Sequence, residues 1–496
     1  MELRLNRERV EYLQRAVDRT TEDTFTADVV IPDVLPDAAA IALTEGDFCL
    51  WRLDFSSGSA EAEGEWKGTV CYLADQEDGL VSFPVSVGVR LRVFDDAIEA
   101  GIKPFASFRV TELSGQMMNS RKIRVRVRVM ISLEGYLPEY FSMACLPEER
   151  QTDVFFRQKR VPCTIVTDVR EQVFTAADRV ALKNQPSGGL LASHSELVYE
   201  QPSVIGGRSV LQGKIRTELL YAVEGSQLPI SQTVEMPFSQ LLDLDPSIEA
   251  AQIDLRLQLT AAELTIQESS LEAEFHIVMQ MVCARLTELP VLVDAYSVRD
   301  LMNLQSEPLQ VSAWNEKKEI TQNITCAVSD VSPDAQIISC MARIRSIRVR
   351  NAVASGKADM IILTSGENGM LHSYLTDAPF SVEIEPDMHM LHASVGSVSV
   401  QSNTGGLQVT VPLTIVVRSI TETTVNQVVT MERGDPDAQL LSAPSIMLIP
   451  NEEALDLWCV AKRYASSTDA ILAANPKKDG EPEPSFWIIP RIRADS

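Results

Sequence analysis

The sequence has few histidines and lacks the common catalytic and nucleotide-binding motifs. It contains only five histidines, and the patterns G-x-x-x-x-G-K-[ST], G-x-G-x-x-G, G-x-S-x-G and H-E-x-x-H do not occur. His389 and His392 are spaced as H-x-x-H, but they lie in a segment typical of turn or strand, where this spacing places them on opposite faces. We therefore expect no enzymatic activity, no cofactor and no metal ion.

Long apolar runs are also missing. The uncharged stretch 391–417 is rich in Ser, Thr, Gln, Asn and Gly, and residues 1–20 lack the apolar core of a signal peptide. The eight cysteines are scattered without a C-x-x-C pair, which favours buried thiols over a disulfide framework or a zinc site. We expect a cytoplasmic protein without direct membrane insertion.

Positive charge is scarce relative to negative charge. The chain has 44 Lys and Arg against 69 Asp and Glu, a net charge of −25. This balance argues against nucleic acid, which needs clustered basic side chains, and against unaided docking on anionic lipid. The length of 496 residues predicts several domains.

The segment 1–24 is charged and carries a modest apolar stripe at Leu3, Val10, Leu13 and Val17. We predict that this N-terminal segment is helical.

The C-terminal residues 445–492 predict a small βααβ module. Apolar runs at 446–449 and 487–490 predict two paired strands that cover the helices. Leu457, Val460, Ala461 and Tyr464 follow the i, i+3, i+4, i+7 pattern of an amphipathic helix.

Capping residues mark where both helices of this module begin. Asn451 is a candidate N-cap for the first helix, and Ser466 or Ser467 for the second, with Asp469 near its positive end.

This module resembles a LysM domain, which is best known for binding peptidoglycan or chitin. The resemblance is carried by residues 457–458, 461–464, 472–475 and 488–490. The Gly-Asp-Thr turn usual before Leu-Trp is replaced by 454–456, and the Gly-Gln usual before the last strand by the Glu/Pro-rich segment 479–484. Because those loops line the sugar groove in glycan-binding members, the departures favour a protein-binding LysM.

Aromatic and arginine side chains often supply the hot spots of protein interfaces. We therefore expect the module to contact a partner through five residues, with Trp487 the more exposed tryptophan and Trp458 either a contact or a core residue. These five are Trp458, Lys462, Arg463, Trp487 and Ile489.

Internal repetition organises the rest of the chain. The segment 33–41 recurs as 330–338, and Gly64, Gly213 and Gly356 precede similar strands. Alternating strand patterns close each copy. We predict a mainly β protein with three tandem, sandwich-like domains near 25–136, 166–285 and 318–421, the middle one degenerate.

The recurring motif contains Pro32, Asp33, Pro36 and Asp37 in the first copy and Pro333 and Asp334 in the third. Proline restricts its own φ and the residue before it, and Asp accepts local backbone N–H groups in turns. We predict a rigid turn after which Asp37 caps a short helix at 38–42. A carboxylate pair for metal or acid–base chemistry is the alternative, but no third ligand accompanies it.

Two arginine-rich strands carry further expectations. Arg124, Arg126 and Arg128 share one strand face, either as a solvated surface or as a docking stripe for an acidic partner. In the second strand, the alternation slips at Ser346-Ile347, which predicts a β-bulge.

Residues 31–37, followed by Glu63-Gly64 and Tyr72, resemble the SPOCS domain of clostridial sporulation proteins. SPOCS domains followed by a C-terminal LysM are the layout of SipL-like spore coat morphogenetic proteins. The resemblance implies a scaffold in the mother-cell cytoplasm, at the outer surface of the forespore. Its LysM would bind the ATP-hydrolysing protein of the coat basement layer, and its β domains other coat proteins. The alternative is a cell-wall protein that binds peptidoglycan through the LysM.

Overall fold

The computed structural model of the chain is mainly β, which confirms the predicted class. It describes residues 2–75, 79–99, 101–147, 152–200, 208–226, 228–243, 251–329, 331, 335–366, 370–403, 406–438, 442, 444–450, 456–476 and 486–492.

The first unit is a sandwich of two three-stranded sheets, with orders β3-β4-β5 and β2-β7-β6. Inward-facing residues of both sheets, including Trp66, Val125 and Val127, are fully buried in one core. The strands are β2 (Arg7–Val30), β3 (Ala38–Ser56), β4 (Ser59–Ala74), β5 (Leu80–Phe94), β6 (Lys103–Asn119) and β7 (Lys122–Ala144).

The second unit has the same arrangement, with sheets β9-β10-β11 and β12-β13-β8. Its core contains Ile215, Leu219 and Phe275. The strands are β8 (Val154–Ala181), β9 (Pro186–Tyr199), β10 (Arg208–Val223), β11 (Ile230–Asp243), β12 (Ala251–Gln267) and β13 (Ser270–Ser297).

The third unit repeats the pattern, except that two short strands pair with its last long strand where the other units have one. The strands are β14 (Asp300–Val328), β15 (Gln336–Arg350), β16 (Val353–Ser365), β17 (Leu371–Glu383), β18 (Met388–Val395), β19 (Ser399–Asn403) and β20 (Gly406–Pro436). Strand β1 (Glu2–Leu3) pairs with the far end of β20.

The C-terminal residues form a βααβ module. Strands β21 (Ile446–Pro450) and β22 (Phe486–Pro490) pair in antiparallel fashion, and the helices α1 (Leu457–Arg463) and α2 (Thr468–Ala474) lie between them in the chain. Asp456 is the N-cap of α1, while Asn451 lies outside the described residues. Ser467 is the N-cap of α2 and Asp469 stands in its first turn, as the sequence predicted.

The first and last strands of each unit continue beyond the sandwich as a two-stranded ribbon. A bulge bends each ribbon at a similar height, between Arg15 and Val17, between Cys283 and Ala284, and between Trp314 and Lys317. The three ribbons share one apolar core, made of Met143, Val161, Cys163, Ile165, Leu289, Val291, Leu309, Val311 and Val425. The units are therefore packed against each other, not strung out along the chain.

The predicted helix at 1–24 is wrong, because residues Arg7–Val30 form β2 and pair with β7 along their length. The apolar stripe has a different origin. Val10 packs in the ribbon core, Leu13 packs against Phe105 and Tyr136, and Val17 lies in the sandwich core beyond the bulge. Leu3 packs elsewhere, with Val428 and Met431. Four separate environments thus produce a spacing that resembles a helical face.

The Pro-Asp turn is held by one arginine and one tyrosine. The Arg121 guanidinium donates to the carbonyls of Ile31, Pro32 and Leu35 at 2.7–3.0 Å and contacts Asp37 at 3.1 Å. The Tyr72 hydroxyl donates to the Pro36 carbonyl at 2.8 Å. Both parts of the sequence motif, the turn and the later tyrosine, therefore belong to one hydrogen-bonded unit.

Asp37 does not cap a helix, since strand β3 begins at Ala38. Its carboxylate instead accepts from Ser120 and Arg121, and the Ser120 hydrogen bond, with that of Arg121, holds its pKa below the usual range although desolvation opposes the shift. In the second unit Tyr221 donates to the side chain of Gln232, which also accepts from the Lys183 backbone. Gln232 thus replaces the turn carbonyl as the acceptor for this tyrosine. The residues Pro333 and Asp334 lie outside the described residues.

Other local expectations have mixed outcomes. The bulge expected at Ser346-Ile347 lies just before it, between Ile344 and Ser346. All eight cysteines are free, but the expectation of buried thiols holds only in part. Three are buried, four are partly buried and Cys459 is exposed. No helix within the described ranges is long and apolar enough to cross a membrane.

We predict that Tyr72→Phe lowers the free energy of unfolding by ~1 kcal/mol, because the partly buried Pro36 carbonyl loses its donor. Arg121→Met should cost more, ~2 kcal/mol, since several carbonyls lose a charged donor together. Equilibrium denaturation with urea measures both. The control is Tyr140→Phe, at a side chain that is 55% exposed. Equal effects at Tyr72 and Tyr140 would contradict the assigned role of the turn.

Candidate functional site

The C-terminal module is fastened to the ribbon of the second unit. Asp294 of β13 accepts from the Trp458 indole N–H at 2.8 Å and from Lys462 Nζ at 2.7 Å. The Tyr296 hydroxyl donates to the Ser466 carbonyl at 2.8 Å, and its ring meets that of Trp458 edge-on at 4.8 Å. One face of the module is therefore bound within the molecule.

The local backbone explains how Asp294 reaches the module. The register of β13 against β8 shifts between Leu292 and Asp294, which marks a bulge at Val293. Phe155 on β8 stacks beneath Tyr296 at 5.4 Å, and Arg157 pairs with the helix-capping Asp456 at 2.8 Å. The hydrogen bond from Arg157 lowers the pKa of Asp456 below its usual range. Charge, aromatic packing and hydrogen bonding thus act together at this contact.

The five residues expected to contact a partner have different surroundings. Trp458 and Lys462 both donate hydrogen bonds to the Asp294 carboxylate. Ile489 is fully buried in the core of the module. Trp487 is partly buried, as Trp458 is, and its indole N–H is enclosed without a hydrogen-bond partner among the described residues. Arg463 alone among the five is exposed without an ion pair among these residues, with its guanidinium 5.6 Å from the Tyr464 ring centre.

Sequence reasoning missed the outer face of the two-stranded sheet. Alternate residues of a strand point to opposite faces, so the residues paired across β21 and β22 divide into an inner and an outer set. The inner set, which includes Met447 and Ile489, packs on the helices. The outer set is apolar and exposed: Ile446 64%, Leu448 66%, Phe486 54% and Ile488 39%. Strict attention to strand alternation in 446–449 would have found it.

Besides the ribbon core, ion pairs that are buried or partly buried join the three units. On β12, Asp254 accepts from Arg418 of the third unit at 2.6 Å and contacts Lys317 at 3.1 Å. Two residues along the same strand, Arg256 donates to Glu134 of the first unit at 2.6 Å. We call these four partners and Lys317 the junction cluster. Arg418 also lies 4.6 Å from the ring centre of Trp314.

Burial and the opposite charges act against each other on the pKa values of these groups. Burial alone would raise the pKa of Glu134, but attraction to Arg256 and Arg15 outweighs it and lowers the pKa. Burial lowers the pKa of Arg418, although Asp254 opposes this shift. Buried charges without partners are costly, so each member of the junction cluster depends on its counter-ion.

The motif glycines lie where neighbouring parts of the sandwich approach the backbone closely. A Cβ on Gly64 would overlap the Cys49 carbonyl and the Phe48 ring. A Cβ on Gly213 or Gly356 would overlap the ring of Phe238 or Phe380. These glycines are required by packing, so the structure gives them no role in binding.

The arginine stripe of β7 is largely used within the first unit. Arg124 pairs with Asp28 at 2.7 Å and Arg128 with Glu112 at 3.0 Å, while Arg126 is exposed. His389 and His392 lie on β18, the former exposed and the latter partly buried. Within the described part of the chain, no group of three His, Cys, Asp or Glu side chains is placed to hold a metal.

Comparisons with protein-family models, with curated proteins and with solved structures find no significant match to this chain.

We predict that Asp294→Ala loosens the module, because Trp458 and Lys462 lose their shared acceptor. Amide hydrogen exchange in Leu457–Arg463 should become at least several-fold faster, while exchange in the sandwich cores stays unchanged. The matched control is Asp178→Ala on the exposed face of β8. Unchanged exchange in the helix would show that Asp294 does not fasten the module.

We predict that Arg256→Met destabilises the body by ~3 kcal/mol, because it leaves the buried Glu134 carboxylate without its main partner. The double variant Arg256→Met with Glu134→Gln should recover part of that loss, since no unpaired charge remains. Thermal and urea unfolding measure both variants. Arg90→Met, at a side chain that is 63% exposed, is the control. A double variant as unstable as the single one would contradict this coupling.

Proposed function

We propose that the protein is a non-enzymatic scaffold for spore coat assembly in the mother-cell cytoplasm. In this proposal the C-terminal module is a LysM domain that binds the ATP-hydrolysing protein of the coat basement layer at the forespore surface. The three β units are SPOCS-type domains that form the rigid body of the adaptor. The sequence motifs of the turn, of Gly64 to Tyr72 and of the two helices support this assignment.

The observation that carries the proposal is the apolar outer face of the module. Ile446, Leu448, Phe486 and Ile488 lie side by side on the paired strands β21 and β22. Exposed apolar side chains that are contiguous mark interaction sites more often than scattered ones do. The partner is therefore expected to contact the module through this outer face, not through Trp458 and Lys462.

The attachment of the module to the body supports an adaptor role. Because Asp294, Tyr296 and Arg157 hold the opposite side of the module, the outer face has a defined direction relative to the three units. A preorganised surface loses less conformational freedom when it binds than a tethered one does. A fixed orientation would let one molecule position the partner at the forespore surface.

We predict that Leu448→Asp and Phe486→Asp each weaken binding of the coat ATP-hydrolysing protein by about 30-fold, as loss of a hot spot does. Calorimetry or a pull-down with the purified partner measures this. Leu375→Asp, at a residue of the third unit that is 61% exposed, is the control and should bind normally. A chain lacking residues 440–496 should not bind at all.

Two outcomes would count against this function. Full partner binding by the chain that lacks residues 440–496 would refute the role of the module. Sedimentation with purified peptidoglycan, lost on the same deletion, would favour the glycan-binding alternative. A fluorescent fusion that stays diffuse throughout sporulating cells would contradict the coat location.

A further inference from the structure

A cavity lies where the three ribbons leave their sandwiches. It has a volume of about 560 Å³ and lies between the edge strands β2 and β14, with β8 behind it. Tyr12 and Arg15 come from the first unit, Arg256 from the second, and Trp314 and Arg418 from the third. Ligand pockets in proteins are typically about 300–1,000 Å³, so this cavity has the size of a small-molecule site.

Three arginines, Arg15, Arg256 and Arg418, line the cavity together with two carboxylates, Asp254 and Glu422. The Glu134 carboxylate is shared by Arg256 at 2.6 Å and Arg15 at 3.6 Å. In the same way, the Asp254 carboxylate is shared by Arg418 at 2.6 Å and Lys317 at 3.1 Å.

Two further carboxylates near the cavity are exposed. They are Asp18, which contacts Arg15 at 3.1 Å, and Glu422, which lines the opening. Solvent screens these two charges, and the half-exposed Arg15, more than it screens the buried Arg418.

Two neighbouring pKa values are lowered first by burial, with a smaller contribution from nearby arginines. The pKa of His392 is lowered to about 4, first by burial and then by repulsion from Arg109 and Arg256. Burial also lowers the pKa of Lys317, although Asp254 opposes this shift. A bound anion would offset the cost of keeping these cations away from water.

The same cavity offers flat apolar surfaces and an unused donor. Tyr12, Tyr136, Phe141 and Trp314 supply aromatic rings to its lining. The Arg418 Nε–H is buried and has no hydrogen-bond partner among the described residues. Aromatic rings next to guanidinium groups favour a ligand that joins a planar body to an anionic group.

We propose that this cavity binds a small organic anion. Its carboxylate or phosphate group lies near the guanidinium groups of Arg15 and Arg256, and its planar body packs against Trp314 and Tyr12. Because the lining comes from all three units, the bound anion would hold them together at their junction. This site is distinct from the outer face of the C-terminal module and does not depend on the function proposed for that face.

Four probes test the proposal with the full chain: phenyl phosphate, benzoate, inorganic phosphate and the neutral benzyl alcohol. We expect phenyl phosphate or benzoate to raise the unfolding temperature and to bind in calorimetry, and benzyl alcohol to do neither. The two aromatic anions distinguish a phosphate ligand from a carboxylate ligand. Inorganic phosphate should bind at least about tenfold more weakly than phenyl phosphate if phosphate is the preferred group.

Matched variants locate the binding. Arg15→Gln removes a half-exposed cation but leaves the Glu134–Arg256 pair in place, so the chain should fold, and the aromatic anion should bind about tenfold more weakly. Arg19→Gln, at a neighbouring arginine that pairs with Asp95 outside the cavity, should bind normally. Trp314→Leu should reduce the preference for aromatic over inorganic anions.

Three results would overturn the proposal. The first is that neither aromatic anion binds more tightly than benzyl alcohol. The second is that Arg15→Gln binds as the wild type does, which would place the ligand elsewhere. The third is that inorganic phosphate binds as tightly as both aromatic anions, which would show that the planar body does not contribute to binding.

Discussion

Strand β12 of the second unit joins the three units of the body. Asp254 faces Arg418 and Lys317 of the third unit, and Arg256 faces Glu134 of the first. Breaking such a pair leaves an uncompensated charge, which is strongly destabilising. The junction cluster and the ribbon core therefore both hold the three units together.

The bulges of the ribbons have a geometric consequence for this arrangement. A bulge increases the local twist and bends the strand, so each ribbon turns out of its sandwich toward the other two. Strands β2 and β14 are edge strands of their sheets, and the cavity lies between them next to the bulges. A second type of bulge, at Val293, directs Asp294 to the module. Local irregularities of the strands, more than the regular sheets, place the functional side chains.

The mainly β class and the βααβ module could be predicted from sequence, because period-two alternation and helix caps are local signals. The junction cluster could not, since Glu134, Asp254 and Arg418 are isolated charges on strands far apart in the chain. The contact between Asp294 and the module could not be predicted for the same reason, because Asp294 and Trp458 are far apart in the chain. The error at residues 1–24 shows the converse, because pairing with β7 overrides a weak helical stripe.

The body and the module are linked through one pair of strands. Val166 of β8 and Val282 of β13 line the cavity, while Phe155 and Asp294 of the same strands hold the module. Coupling between two sites requires an element with two discrete arrangements that both sites bias. The β8–β13 ribbon is instead paired along almost its whole length, and its middle lies in the core shared by three units. Such a ribbon resists bending. An anion in the cavity would therefore stabilise the ribbon that holds the module without changing the orientation of the module.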